Sequence, residues 1–132
     1  MPLPLPRSKM LGVEIRRASE SDAAYVSDTY ANQTWGFGIP RSEWRQACES
    51  AIALSISRGG VLVASSEKDP GQIFAWCRVV PHFPGGPVCV LDYVYVRSVF
   101  RGFGLAADLV TAAGVKSSTR PWRGLSVVVP LS

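Results

Sequence analysis

The segment Val94-Tyr95-Val96-Arg97-Ser98-Val99-Phe100-Arg101-Gly102-Phe103-Gly104-Leu105-Ala106-Ala107-Asp108-Leu109-Val110 constrains this chain more than any other. Alternating β-branched and aromatic residues make a strand, a turn with two glycines follows, and a helix starts at once. Together with the order of the elements around it, this segment reads as α+β or mixed α/β. The turn also has a chemistry. Glycine lets the backbone approach a ligand, and the amides of a first helical turn lack internal partners. Such amides, with the helix dipole behind them, suit a phosphate or pyrophosphate.

Gly102-Phe103-Gly104-Leu105-Ala106-Ala107 satisfies the loose dinucleotide pattern G-x-G-x-x-G/A. That pattern requires the first glycine directly after the strand and an acidic residue about 20 positions on, to bind ribose. Here five residues separate Val96 from Gly102, and nothing acidic follows Asp108. The dinucleotide assignment fails on both counts.

Around this segment the periods predict strand, helix, helix, three strands, helix, strand. Gly12 to Arg17 alternates as a first strand, and Ser19-Glu20-Ser21-Asp22 offers capping oxygens to a helix starting near Ala23. Trp44, Ala47, Cys48, Ala51 and Ile52 recur at helical steps between Arg41 and Ser57, with Gly59 placed to end that helix. The connection Asn32 to Pro40 carries Trp35 and Phe37. Val61 to Ser65 and Gln72 to Val80 form a hairpin across Glu67-Lys68-Asp69-Pro70-Gly71. Pro81 to Pro87, with three prolines and two glycines, is a loop before the strand Val88 to Val96. Phe103 to Ala113 is helical, Gly114 stops it, and Leu125 to Val129 is a last strand. Met1 to Leu11 opens as a proline-rich arm, extended because every second residue from Pro2 to Pro6 lacks an amide hydrogen. Residues 12–132 are one domain.

Composition excludes several classes. With 132 residues, 47% hydrophobic and 18% charged, the chain has the profile of one packed core. No apolar run reaches the roughly 20 residues of a membrane helix, and no signal-peptide pattern opens it. Three cysteines, Cys48, Cys77 and Cys89, cannot all pair and sit in apolar segments as core thiols, which points to the reducing cytoplasm. The net charge of +4 comes from 14 basic and 10 acidic residues, with Lys116, Arg120 and Arg123 beyond the last acid. A solvated basic end accounts for this bias, and phosphate contact is the sharper alternative. No nucleic-acid-binding motif interleaves aromatics with these basic residues, so a nucleic-acid partner is not expected.

Arg101-x-x-Gly104-x-Ala106, preceded by the strand ending Val94-Tyr95-Val96, resembles the coenzyme A loop of the GNAT superfamily of N-acetyltransferases, the acyl-CoA N-acyltransferase fold. Ile15-Arg16-Arg17-Ala18-Ser19-Glu20-Ser21-Asp22 looks like that family's first strand and helix start. The resemblance covers roughly residues 12 to 116. It implies a central, mostly antiparallel sheet flanked by helices, and transfer of an acetyl or other acyl group from coenzyme A to an amine, with no metal. It further implies that backbone groups of Val94, Tyr95 and Val96 meet the pantetheine arm. Arg101, Gly102, Phe103, Gly104, Leu105 and Ala106 would wrap the pyrophosphate. Asp92 takes the place of the family's base, and a strand carboxylate paired with an arginine is its alternative. Trp35 and Phe37 fall where the family places its acceptor loop, and His82 is a lone loop histidine.

The pattern departs from the family after Ala113. A second C-terminal helix, which often supplies a tyrosine acid, and the last strands are not found, so the expected form is C-terminally short. Leu125 to Val129 would then be an apolar sheet edge, which a second copy, an assembly partner or the proline-rich arm is expected to cover. Two functions follow. One is an acyltransferase acting on a small-molecule or protein amine. The other is a catalytically silent GNAT-like subunit of a larger assembly, of a kind that would suit a virus or phage.

Overall fold

In the computed structural model, which describes residues 5, 8, 10–36, 38–81 and 89–127, a six-stranded sheet carries two helices on one face and one on the other. The elements are β1 (Val13–Arg17), α1 (Ala23–Thr34), α2 (Arg41–Ser57), β2 (Val61–Ser66), β3 (Ile73–Pro81), β4 (Cys89–Val96), α3 (Leu105–Ala113), β5 (Ser117–Ser118) and β6 (Ser126–Val127). Spatial order follows chain order. β1 through β4 pair antiparallel, and β4–β5 and β5–β6 pair parallel.

Strand alternation divides the core. Leu62 and Ala64 of β2 face α3 together with Leu105 and Leu109, while Val61 and Val63 face α1 and α2 with Val26, Ile52 and Trp76. Leu105 and Leu109 are 1% and 0% exposed, and burying each contributes roughly 1.5–3 kcal/mol. The wholly buried indole of Trp76 donates to Thr29 Oγ1 at 2.8 Å, so its one polar atom is satisfied. Asp22 fastens β1 to the entry of α1: its carboxylate takes both Arg16 guanidinium nitrogens at 2.7 and 3.0 Å and the Ser19 amide at 2.8 Å. Gly60, between α2 and β2, donates to Ser55 O and accepts from Val79 N. A Cβ there would lie 2.8 Å from the Val79 carbonyl, so only glycine fits.

Two irregularities set the geometry of β4. The register steps from Arg78↔Tyr93 to Val79↔Leu91, which leaves Asp92 as an extra residue in a bulge. Beyond Leu91, β4 also loses its other neighbour, because β5 meets it only at Leu91↔Ser118. The sheet therefore splits along Asp92–Val96.

The expected elements up to Ala113 all form, with ends shifted by a residue or two. The C-terminal part differs. The strand beside β4 is β5, which the sequence reading did not contain, and the described part of the expected strand Leu125 to Val129 is the two-residue β6. Ser117 and Ser118 carry no apolar alternation; a Thr119 amide bond to Leu91 O anchors them instead. Cys89 is a second correction. Cys48 and Cys77 are buried thiols as expected, but Cys89 is exposed at the start of β4, where the strand has not yet entered the core. In the N-terminal arm, Leu5 and Met10 pack against the α3-side core, and Ser8 Oγ donates to Asp108 Oδ2 at 3.0 Å. The remaining arm residues, Phe37, residues 82–88, which make up nearly all of the expected loop Pro81 to Pro87, and residues 128–132 lie outside the described residues.

Candidate active site

The site is built along the split in the sheet. Arg97 N donates to Phe74 O across β3. Strand alternation then turns the amides and carbonyls of Tyr95 and Tyr93 toward β3, and those of Val96 and Val94 toward the open side. The side chains of Tyr93 and Tyr95 lie on the α1/α2 face around Trp76, at ring distances of 5.8 and 6.0 Å.

After β4 a tight turn (Ser98–Phe100) leads to the two glycines. Gly102 has φ +90° and Gly104, which caps α3, has φ +80°; this is the left-handed region, and nothing stands within 4 Å of where either Cβ would point. Arg101 Nε donates to Val96 O at 3.2 Å and closes the turn over the strand end. The result is a cleft of about 400 Å³ lined by Val96, Phe100, Arg101, Gly102, Gly104, Leu105, Ala106, Ala107 and Trp122. No described lining residue carries a carboxylate, and the first residues of α3, Leu105 to Ala107, form part of the wall. This is a cradle that fits a phosphate group. Of the residues singled out by sequence, Leu105 offers only its backbone, since its side chain is core. Phe103 is 55% exposed and outside the lining, and Tyr95 points its ring away.

The cleft continues up the split. A second cavity of about 210 Å³ is lined by Leu91, Asp92, Tyr93, Val94, Ser118, Arg120, Pro121 and Trp122. Trp122 belongs to both walls, so the two spaces adjoin along the split. The Arg120 guanidinium sits 5.1 Å over the Tyr93 ring at its upper end. On the other side, between the end of α2 and the β3–β4 hairpin, lies a third pocket of about 440 Å³, which also reaches Asp92. Asp92 is the residue common to both sides.

The bulge explains how Asp92 is held. In regular pairing Arg78 faces Tyr93; the extra residue puts Asp92 on the same face, beside Arg78. Asp92 Oδ2 accepts from Arg78 Nη1 at 2.9 Å and from Tyr30 Oη at 2.9 Å, while Arg78 Nε donates to Ser55 Oγ at 2.8 Å. Three elements, α1, α2 and β3, thus fix one carboxylate. Burial pushes the Tyr30 phenol up to about 12, and the adjacent Asp92 carboxylate adds to the rise, so Tyr30 keeps its proton and donates. The carboxylate–arginine pair weighed from sequence is present, and Arg78 and Tyr30 are site residues the sequence reading missed. Arg78 was detectable as the one charge within Ile73–Pro81, just as Asp92 is the one charge within β4.

Trp35 is 42% exposed; its Nε1 donates to Ile39 O, and Arg41 lies 5.7 Å from its ring, all within its own loop. Phe37 and His82 lie outside the described residues. Arg97 packs over the Phe100 ring at 5.6 Å. Among the described residues, no three His, Cys, Asp or Glu side chains group to hold a metal ion, and no helix is long and apolar enough to cross a membrane.

No protein-family model matches the sequence, and no curated protein matches it. Solved structures do. An aminoglycoside N-acetyltransferase in complex with CoA matches with a TM-score of 0.58 at 17% identity, over 89% of this chain and 78% of that one. A ribosomal-protein-alanine N-acetyltransferase from Brucella melitensis matches at 0.51 and 18%, over 89% and 80%. A predicted acetyltransferase with acetyl-CoA from Clostridium acetobutylicum matches at 0.52 and 15%, over 89% and 81%. At these identities the likeness is one of fold, and the fold is that of the GNAT acetyltransferases.

Proposed function

We propose that a protein with this fold and this split sheet is an N-acyltransferase that moves an acetyl group from acetyl-CoA to an amine by direct attack. One observation carries the proposal: the Gly102–Gly104 cradle and the cavity that reaches Asp92 adjoin at Trp122, along the split edge of β4. The cradle suits the pyrophosphate, with Arg101, Gly102, Gly104 and Ala106 around it. The backbone groups of Val94 and the amide of Val96 suit the amide-bearing pantetheine arm, and the thioester then reaches the Asp92 level. The acceptor enters by the pocket across the strand.

In the step itself the neutral amine nitrogen forms a bond to the thioester carbonyl carbon, the C–S bond breaks, and the sulfur leaves as thiolate. The proton shed by nitrogen passes to Asp92 through Oδ1, to which no described residue donates, and on to the thiolate. The products are an amide and the free thiol of CoA. Holding both reactants at one carboxylate supplies the proximity that such a transfer depends on. Three free thiols fit the reducing cytoplasm as its compartment.

Calorimetric titration with acetyl-CoA, beside Gly104→Trp, tests the proposal. Micromolar binding by the native chain and its loss in the variant are expected, because an indole at Gly104 projects into the cradle. Absence of binding at millimolar acetyl-CoA would refute it. The second reading, a silent subunit of an assembly, draws on the β6 edge, where Val127 is 57% exposed; that edge suits a second copy or another subunit. Lack of binding together with a stable oligomer would favour it.

A further inference from the structure

We infer that the pocket between the end of α2 and the β3–β4 hairpin selects an acceptor amine that also carries an anionic group, and that Arg58 recognises that group. This deepens the acyltransfer reading and rests on it.

The pocket's volume, about 440 Å³, is that of a small-molecule site. Its apolar wall is Leu54, Val79, Val80 and Pro81, and its charged groups are Arg58, Arg78 and Asp92. Arg78 is held against Asp92 at 2.9 Å and also donates through Nε to Ser55 and through Nη1 to Tyr30, while Asp92 Oδ1 accepts from no described residue. Arg58 is different. It is exposed at the mouth of the pocket, and among the described residues its guanidinium has neither an ion-pair nor a hydrogen-bond partner. A second cation stands behind it: the Arg17 Cδ and Nε lie 3.9 Å from the position a Cβ on Gly59 would take. Arg17 likewise has no ion-pair partner among the described residues. Among the described lining residues the mouth is therefore cationic, and the inner end carries the carboxylate.

A ligand that complements this polarity has its amine at the Asp92 end and its anion at the Arg58 end. The apolar wall between them suits a short methylene chain and strengthens the attraction at both ends by lowering the local dielectric. Guanidinium pairs with carboxylate and phosphate alike, so the shared chemistry is an oxyanion on an amine.

The experiment uses the full chain and compares n-butylamine, 4-aminobutyrate and 2-aminoethyl phosphate. Thiol release from acetyl-CoA is followed for each, and binding of each to CoA-saturated protein is measured by calorimetry. A preference of tenfold or more for one or both anionic amines is expected, in kcat/KM or in affinity. The better of the two identifies carboxylate or phosphate. Arg58→Glu, at the exposed C-cap of α2, should invert the preference toward n-butylamine with no more than a small fall in melting temperature, the cost of an acid at a helix C-terminus. Equal handling of neutral and anionic amines, a preference that survives Arg58→Glu, or no binding of either anionic amine at millimolar concentration would each overturn the inference. Failure of the underlying reading shows separately, as absence of acetyl-CoA binding before any amine is added.

Discussion

The Arg78–Asp92 pair is where the fold and the proposed chemistry meet, and its strength can be measured. Replacing Arg78 by Met keeps the aliphatic stem but removes the guanidinium from Asp92, Ser55 and Tyr30. The two side chains are 16% and 21% exposed, so the pair is mostly but not wholly out of water. Stranding one partner of a fully buried pair costs about 3–5 kcal/mol. Residual solvent access lowers that, and the Tyr30 hydrogen bond continues to satisfy Asp92 in part, so about 2–3 kcal/mol is expected for Arg78→Met. Asp92→Asn keeps the shape and one acceptor oxygen and should cost roughly 1–2 kcal/mol. Urea denaturation of the native protein, both single variants and the double variant gives the coupling energy, provided the m-value is constant. A coupling of about 1–2 kcal/mol is expected, changed little by 1 M salt because the pair is shielded. A coupling below about 0.5 kcal/mol, or one abolished by salt, would place this pair among solvent-screened surface contacts and remove the premise that Asp92 is rigidly held.

Acid stability should depend on Asp22. Burial pushes its carboxyl up, but the Arg16 guanidinium and the Ser19 amide and hydroxyl outweigh this and leave it below its ordinary value. A depressed carboxylate contributes stability that is full above the unfolded value, near 4, and is lost as pH falls through the folded one. Asp22→Asn should therefore melt lower than the native protein at pH 7, with the gap closing below pH 4; a gap independent of pH would contradict the assignment. Thiol reactivity should separate the cysteines. Burial pushes Cys77 up to about 12 and raises Cys48, whereas Cys89 is exposed, so one fast equivalent with Ellman's reagent at pH 8 is expected, and Cys89→Ala should remove it. A second fast equivalent would mean that the Cys48 site on α2 opens readily.

Local signals were legible where they act locally. The helical steps of Trp44 to Ile52, the hairpin turn at Asp69-Pro70-Gly71 and the Gly102–Gly104 turn each carry their own geometry, and each forms as expected. β5 was not legible, because two serines become a strand only through what Leu91 offers them across space. Arg78 and Tyr30 escaped for the same reason. They are 14 and 62 residues from Asp92, and a bulge that no residue type announces brings them to it. Cys89 was misread because alternation with valines describes a strand but not the point at which that strand enters the core.

The bulge at Asp92 has a genetic consequence. Any single substitution there leaves Tyr93, Val94, Tyr95 and Val96 on their present faces. Loss of that one codon would restore an unbroken ladder, Leu91 on Val79 followed at once by Tyr93 on Arg78, and would leave every face downstream as it is. Tyr93 and Tyr95 would keep their place around Trp76, and Val94 and Val96 theirs on the α3 side. What the strand would lose is the carboxylate and the local bend that carries it. The sheet can do without this residue; the candidate site cannot.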